Sequence, residues 1–231
     1  MVRLRYLGHS AFYIEGAGLK ALIDPFLSGN PNSAAKPSDF KELDAVFLTH
    51  AHGDHVGDTI EIAKRTGARV FSCNETAAWL AQKGVKTEGM HIGGRAKFPF
   101  GRVKLAPAWH GDQIIDGDTP RYGGVACGFV IEVEGKKFYH AGDTGLAMDM
   151  KLLEAEKIDV ACLPIGGYYT MDVEDAVRAV EFIKPIRAVP MHYNTFPNIR
   201  TDPQDFAAAV KEAGLLGTEV VVLGYGETLE F

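Results

Sequence analysis

A chain of 231 residues with 46% hydrophobic and 23% charged residues can bury a sizeable core, which excludes an intrinsically disordered protein and a mini-protein that depends on disulfides. The net charge of −6 excludes a protein built to grip the nucleic-acid backbone, because that mode relies on Lys and Arg displacing counterions. Cys73, Cys127 and Cys162 are odd in number, widely spaced and set in apolar context, so they read as buried free thiols of a reducing, cytoplasmic compartment. No apolar run approaches membrane length and the N-terminus lacks a signal core, so neither insertion nor secretion is expected.

In chain order, residues 2–7, 11–15 and 19–24 read as an antiparallel meander, followed by a Pro-, Ser-, Asn- and Gly-rich loop over 26–38. From residue 43 strands and helices alternate: a strand at 46–49, a helix running to 66, a strand at 69–72, and a helix at 75–83 stopped by Gly84. A second antiparallel stretch covers 96–98, 102–106, 128–134 and 137–140, its last pair joined at Glu134-Gly135. Alternation then resumes with a helix at 146–156, a strand at 160–164 and a helix at 172–183 capped by Asp172. A strand at 188–190, a helix opened by Asp202-Pro203 and closed by Gly214, and strands at 220–223 and 228–231 complete the chain. Antiparallel strands followed by β/α alternation thus occur twice. A single α/β domain over 1–231, a four-layer αββα sandwich with two pseudo-symmetric halves, accommodates that order.

The densest chemistry lies in Thr49-His50-Ala51-His52-Gly53-Asp54-His55-Val56-Gly57, between an apolar strand and a helix. His50 and His52, two apart in an extended turn, can face one side, while Asp54 and His55 enter the first helical turn. Gly53 and Gly57 allow the backbone to bend. Imidazoles with one carboxylate suit Zn²⁺, Mn²⁺, Fe or Ni²⁺ better than Ca²⁺ or Mg²⁺. His110, Asp143 and His192 each follow an apolar run, where a sandwich gathers its loops on one edge, and so complete the set.

The series His50-Ala51-His52-Gly53-Asp54-His55, His110, Asp143, His192 resembles the metallo-β-lactamase superfamily over essentially the whole chain. Leu7-Gly8-His9-Ser10, Ile23-Asp24-Pro25-Phe26, His140-Ala141-Gly142-Asp143-Thr144 and Met191-His192-Tyr193-Asn194 are similar to the metal-dependent hydrolases related to ascorbate-6-phosphate lactonase. More distantly they are similar to N-acyl-phosphatidylethanolamine phospholipase D. The resemblance implies two divalent ions, zinc before manganese, iron or nickel. It implies that His50, His52 and His110 bind one ion and Asp54, His55 and His192 the other, with Asp143 bridging. Asp143 stands where the best-known β-lactamases carry Cys, so β-lactam hydrolysis is not expected.

The expected reaction is attack on a small ester, lactone or phosphodiester by hydroxide shared between the metals, with Asp54 ligating and orienting it. His9 is expected at the site as proton donor or substrate contact, Asp24 behind it as the partner of a ligand imidazole, and His140 nearby without touching metal. Tyr193 and Asn194 are expected on the pocket wall, and the Gly166-Gly167 loop is a weaker candidate for an anion. The substrate is a small molecule, open to being anionic, and self-association is common in such proteins. Two other classes share the ligands: a dinuclear-iron redox protein, and a non-catalytic partner protein that keeps metal for structure. The absence of a flavodoxin domain speaks against the first, and the intact seven-residue set against the second.

Overall fold

Leu4, Tyr6, Phe12 and Ile14 are buried while Arg3, Arg5, Tyr13 and Glu15 are more exposed, a period of two that turns one face of the first strands inward. The computed structural model describes residues 1–231. Strands β1 (Arg3–Gly8), β2 (Ala11–Gly16) and β3 (Leu19–Ile23) pair antiparallel, and β4 (Ala45–Phe47), β5 (Arg69–Cys73) and β6 (Thr87–Met90) extend the sheet in parallel. The parallel crossovers carry α1 (Gly53–Val56), α2 (Thr59–Thr66) and α3 (Asn74–Gln82).

The second half repeats the plan. Strands β7 (Arg95–Phe98) and β8 (Gly101–Pro107) lead, after a separate hairpin of β9 (Gln113–Asp116) and β10 (Thr119–Tyr122), to β11 (Cys127–Val133) and β12 (Lys136–His140). Parallel strands β13 (Val160–Pro164), β14 (Arg187–Met191) and β15 (Glu219–Val220) follow, with α4 (Val173–Ile183) and α5 (Pro203–Glu212) as crossovers. Finally β16 (Thr228–Glu230) crosses back to pair with β1 and becomes the short edge strand of the first sheet.

The two seven-stranded sheets pack face to face through one core in which Phe47 stacks on Phe71 at 4.9 Å and meets Phe129 of the other sheet at 5.3 Å. Ile62, Ala63, Trp79 and Leu80 of α2 and α3 cover the outer face of the first sheet against Leu22, Val46 and Val70. Ala176, Val180, Ile183 and Phe206 do the same for the second. The αββα sandwich expected from the sequence is therefore the fold. All three cysteines are buried and free, and no helix is long and apolar enough to cross a membrane.

Several local expectations differ. The stretch near 146–156 is a 3₁₀ helix, Met148–Glu156, whose buried side chains Met150 and Leu153 lie three apart and so eclipse on one face. Of the 220–223 region only Val220 lies in a strand, together with Glu219 in β15. β6 and the β9–β10 hairpin were not anticipated, being short and polar or exposed.

The helix expected to run unbroken to residue 66 is split at Gly57, which has φ +36 and ψ −118. A Cβ there would lie 2.5 Å from the Pro25 carbonyl oxygen, whereas one on Gly53 meets nothing within 4 Å. Of the two motif glycines, only Gly57 is required by its surroundings. Gly57→Ala is expected to lower the unfolding free energy by about 2–4 kcal/mol and Gly53→Ala by less than about 0.5. Thermal denaturation of the two variants checks this, and equal losses would contradict it.

Candidate metal centre

β4 ends at Phe47, and the chain turns through Thr49 to His52 before α1 begins, which places His50 and His52 at the C-terminal edge of the first sheet. His110 follows β8, Asp143 follows β12, and His192 follows β14, so the second sheet delivers its side chains to the same edge. Four of the eight non-glycine residues with positive φ lie here: His9, Asp24, His192 and Asn194. Each such conformation costs about 1 kcal/mol, so backbone strain is concentrated where the strands hand their residues to the site.

Two clusters form. His52 Nδ1 lies 3.0 Å from His50 Nε2 and 3.2 Å from His110 Nε2, so these three imidazoles converge on one point. Asp54, His55, His192 and His9 form a second group, and Asp143 lies between the two. Its Oδ1 is 3.2 Å from His55 Nε2, and its Oδ2 is 3.0 Å from His192 Nε2 and 3.7 Å from His110 Nε2. The structure thus brings together all seven residues expected as ligands.

Hydrogen bonds behind the clusters fix which nitrogens face inward. Asp24 is fully buried and accepts from Thr49 N–H at 2.8 Å, Thr49 Oγ1 at 2.6 Å and His55 Nδ1 at 2.7 Å. Because the Thr49 hydroxyl donates to Asp24, it accepts from His50 Nδ1 at 3.0 Å. Both His50 and His55 consequently turn an unprotonated Nε2 toward the centre when neutral. His55 Nε2, Asp143 Oδ1 and both ring nitrogens of His192 are buried without any hydrogen-bond partner. Buried polar atoms are rarely left so, and imidazole lone pairs beside a carboxylate are the donor set of a divalent transition metal. The residues fit such an ion.

The electrostatics of the bare side chains divide the histidines. Burial and then the neighbouring His55 hold His50 well below the ordinary imidazole range, and burial likewise lowers His110. Burial opposes the charge on His55 too, but Asp143 and Asp24 outweigh it and raise that imidazole. Asp143 resists burial through His192 and His55 and stays well below the carboxylate range. The site is preorganised for cationic charge.

His9 is completely buried, and burial lowers it to about 4. Its Nδ1 lies 2.8 Å from Thr195 Oγ1 and its Nε2 3.2 Å from Asp54 Oδ2, and its ring stands 4.2 Å from that of His192, so it backs the second cluster with Asp54 as its hydrogen-bond partner there. His140 donates from Nε2 to the Ser10 carbonyl at 2.9 Å and accepts the Gly142 N–H at Nδ1, a clamp between the two sheets.

Tyr193 and Asn194 are not where they were expected. Tyr193 is buried with Tyr6, 6.4 Å between rings, and Asn194 brackets its own loop by accepting from Thr201 N–H and donating to the Thr201 carbonyl. The cleft wall is instead Tyr169, Phe196, Pro197 and Asn198. The Gly166-Gly167 loop serves packing, since a Cβ on Gly166 would stand 2.3 Å from the His192 carbonyl oxygen and the Gly167 N–H donates to Met171.

Asp112 escaped the sequence reading. It is buried, accepts the Ala51 N–H and the Thr76 hydroxyl, both at 2.8 Å, and so pins the backbone between His50 and His52. Its only sequence signal is its place two residues after His110.

Two packed sheets with this centre on one edge define a metallo-hydrolase architecture. A family model described as the Beta-lactamase superfamily domain matches residues 20–193, and the chain belongs to that superfamily. More particularly, it groups with the metal-dependent hydrolases called UPF0173. It is 50% identical to one from Alkaliphilus metalliredigens over 231 residues, covering 100% of both chains. A second, from Pyrococcus furiosus, is 50% identical over 236 residues, again with 100% of each chain covered. Among solved structures, Igni18, a metallo hydrolase from Ignicoccus hospitalis, superposes with a TM-score of 0.89 at 45% identity over 100% of this chain and 99% of that one.

Proposed function

We propose that this metal-dependent hydrolase is dinuclear and cleaves a small ester, lactone or phosphodiester. The observation that carries the reading is the convergence of two histidine clusters on Asp143 with His55 Nε2, Asp143 Oδ1 and His192 Nε2 buried and unpartnered. His50, His52 and His110 would hold one ion, Asp54, His55 and His192 the other, and Asp143 would touch both. Divalent ions bound there, zinc foremost, bring the pKa of water toward neutrality and polarise the bond being cut.

The chain's own residues supply position. Burial works against the charge of Asp54, but the His9 hydrogen bond and His55 outweigh it, so the carboxylate stays ionised well below its ordinary range. Such a group is a poor proton store, and its part is to orient the nucleophile with the oxygen that His9 leaves free. His9 acts through Asp54 as a positioning residue. The cleft, about 570 Å³, admits a small molecule.

Protein prepared without a metal-chelating column, assayed on carboxylic esters, lactones and phosphodiesters, tests this reading. Turnover is expected to vanish on stripping with a chelator and to return on adding Zn²⁺ or Mn²⁺. Hydrolysis that survives complete removal of metal would overturn it.

A further inference from the structure

Outside the metal-facing residues, the lining of the cleft offers no positive charge to an anion. No lysine or arginine lines the cleft, whose outer wall is aromatic, prolyl and amide. The N-terminus of α4, which follows the Tyr169 loop, is filled by Asp172, which accepts from Asp175 N–H at 2.9 Å, and carries Glu174 and Asp175 in its first turn. That end repels negative charge.

On the other side of His110 lies a second, open trough of about 390 Å³. His110 is a wall of both spaces, so the trough and the cleft adjoin at that imidazole. Its floor and sides include Ile92, Trp109 and Val125, and its one acidic residue is Asp149. Trp109 is 69% and Val125 48% exposed. The Trp109 backbone is nonetheless fixed, its N–H donating to Thr144 Oγ1 at 2.9 Å and its carbonyl accepting from Gly145 N–H at 3.2 Å. A large apolar side chain held in water by a rigid frame, next to a reaction centre, is a surface that an apolar group covers.

We infer that the substrate is a neutral compound with an uncharged apolar arm that passes His110 and lies along the Trp109 trough. This rests on the hydrolytic reading above and narrows it. The aromatic wall of Tyr169 and Phe196 takes the other side of the scissile bond, and Asp149 disfavours an arm that ends in a carboxylate or phosphate.

The test compares three aryl esters of matched reactivity on the metal-loaded enzyme: 4-nitrophenyl acetate, 4-nitrophenyl octanoate, and the mono-4-nitrophenyl ester of suberic acid. Octanoate is expected to exceed acetate in kcat/KM by at least about tenfold, since each enclosed methylene adds to transition-state binding. The suberate half-ester should fall back toward the acetate value, and Trp109→Ala should bring the octanoate-to-acetate ratio close to one. In metal-free protein, octanamide should shift the Trp109 emission to the blue, a signal missing in Trp109→Phe. A half-ester as good as octanoate, a ratio untouched by Trp109→Ala, or no emission shift overturns the inference while leaving the hydrolytic reading intact. No hydrolysis of any of the three esters, nor of a lactone or phosphodiester, overturns that reading and the inference with it.

Discussion

Asp143→Asn is expected to remove turnover by at least about a thousandfold while the protein stays folded. Asp143 is the one carboxylate that faces both clusters, at 3.2 Å from His55, 3.0 Å from His192 and 3.7 Å from His110. Asn preserves shape and one acceptor oxygen but removes the negative charge that, on the proposed reading, would hold two cations. It also presents an NH₂ group toward imidazoles whose lone pairs should face metal. Histidines around a neutral amide cannot offset the repulsion of paired divalent ions, so one site or both should empty. Steady-state rates and metal content on the same preparation check this, with circular dichroism to confirm the fold. Turnover within about tenfold of the parent would remove Asp143 from the centre of the account.

The second large effect lies one step back from the metals. Asp24→Asn is expected to weaken metal binding and activity by about 10–100-fold. Asp24 sits at φ +43, a conformation that Asn tolerates, so the substitution tests hydrogen bonding rather than backbone strain. If the amide oxygen keeps the Thr49 N–H, the NH₂ must face Thr49 Oγ1 and His55 Nδ1, both of which now donate. To accept instead, His55 must move its proton to Nε2, the atom aimed at Asp143. The Thr49 hydroxyl, deprived of its acceptor, can turn to His50 Nδ1 and reverse that ring as well. One carboxylate therefore sets an imidazole in each cluster. Nitrogen-15 spectra of the imidazoles read the tautomers directly, and unchanged His50 and His55 tautomers in the variant would refute the mechanism.

The site was largely legible because its short-range part is dense. Six positions from His50 to His55 carry the motif, and each of His110, Asp143 and His192 falls where an apolar strand ends. The αββα order could be read for a similar reason, since strand and helix periods alternate twice. What could not be read depends on backbone turns that leave no mark in residue type. Tyr193 and Asn194 directly follow an expected ligand, but adjacency in sequence does not fix the direction of a side chain. His192 at φ +57 and Asn194 at φ +59 turn the chain here, and Tyr193 is buried beside Tyr6. The same turn carries Phe196 to Asn198 back to the cleft wall. Asp112 and Thr195 act through single hydrogen bonds to Ala51 and His9, which join residues far apart in the chain. The return of β16 to β1 is likewise a matter of topology rather than composition.

The central claim is that two ions share one carboxylate at the edge of the sandwich. Anomalous diffraction from crystals of metal-loaded protein, with element analysis of the same sample, tests it most directly. Two peaks are predicted, one among His50, His52 and His110 and one among Asp54, His55 and His192, both in contact with Asp143. A single ion, or a pair held without Asp143, would contradict it.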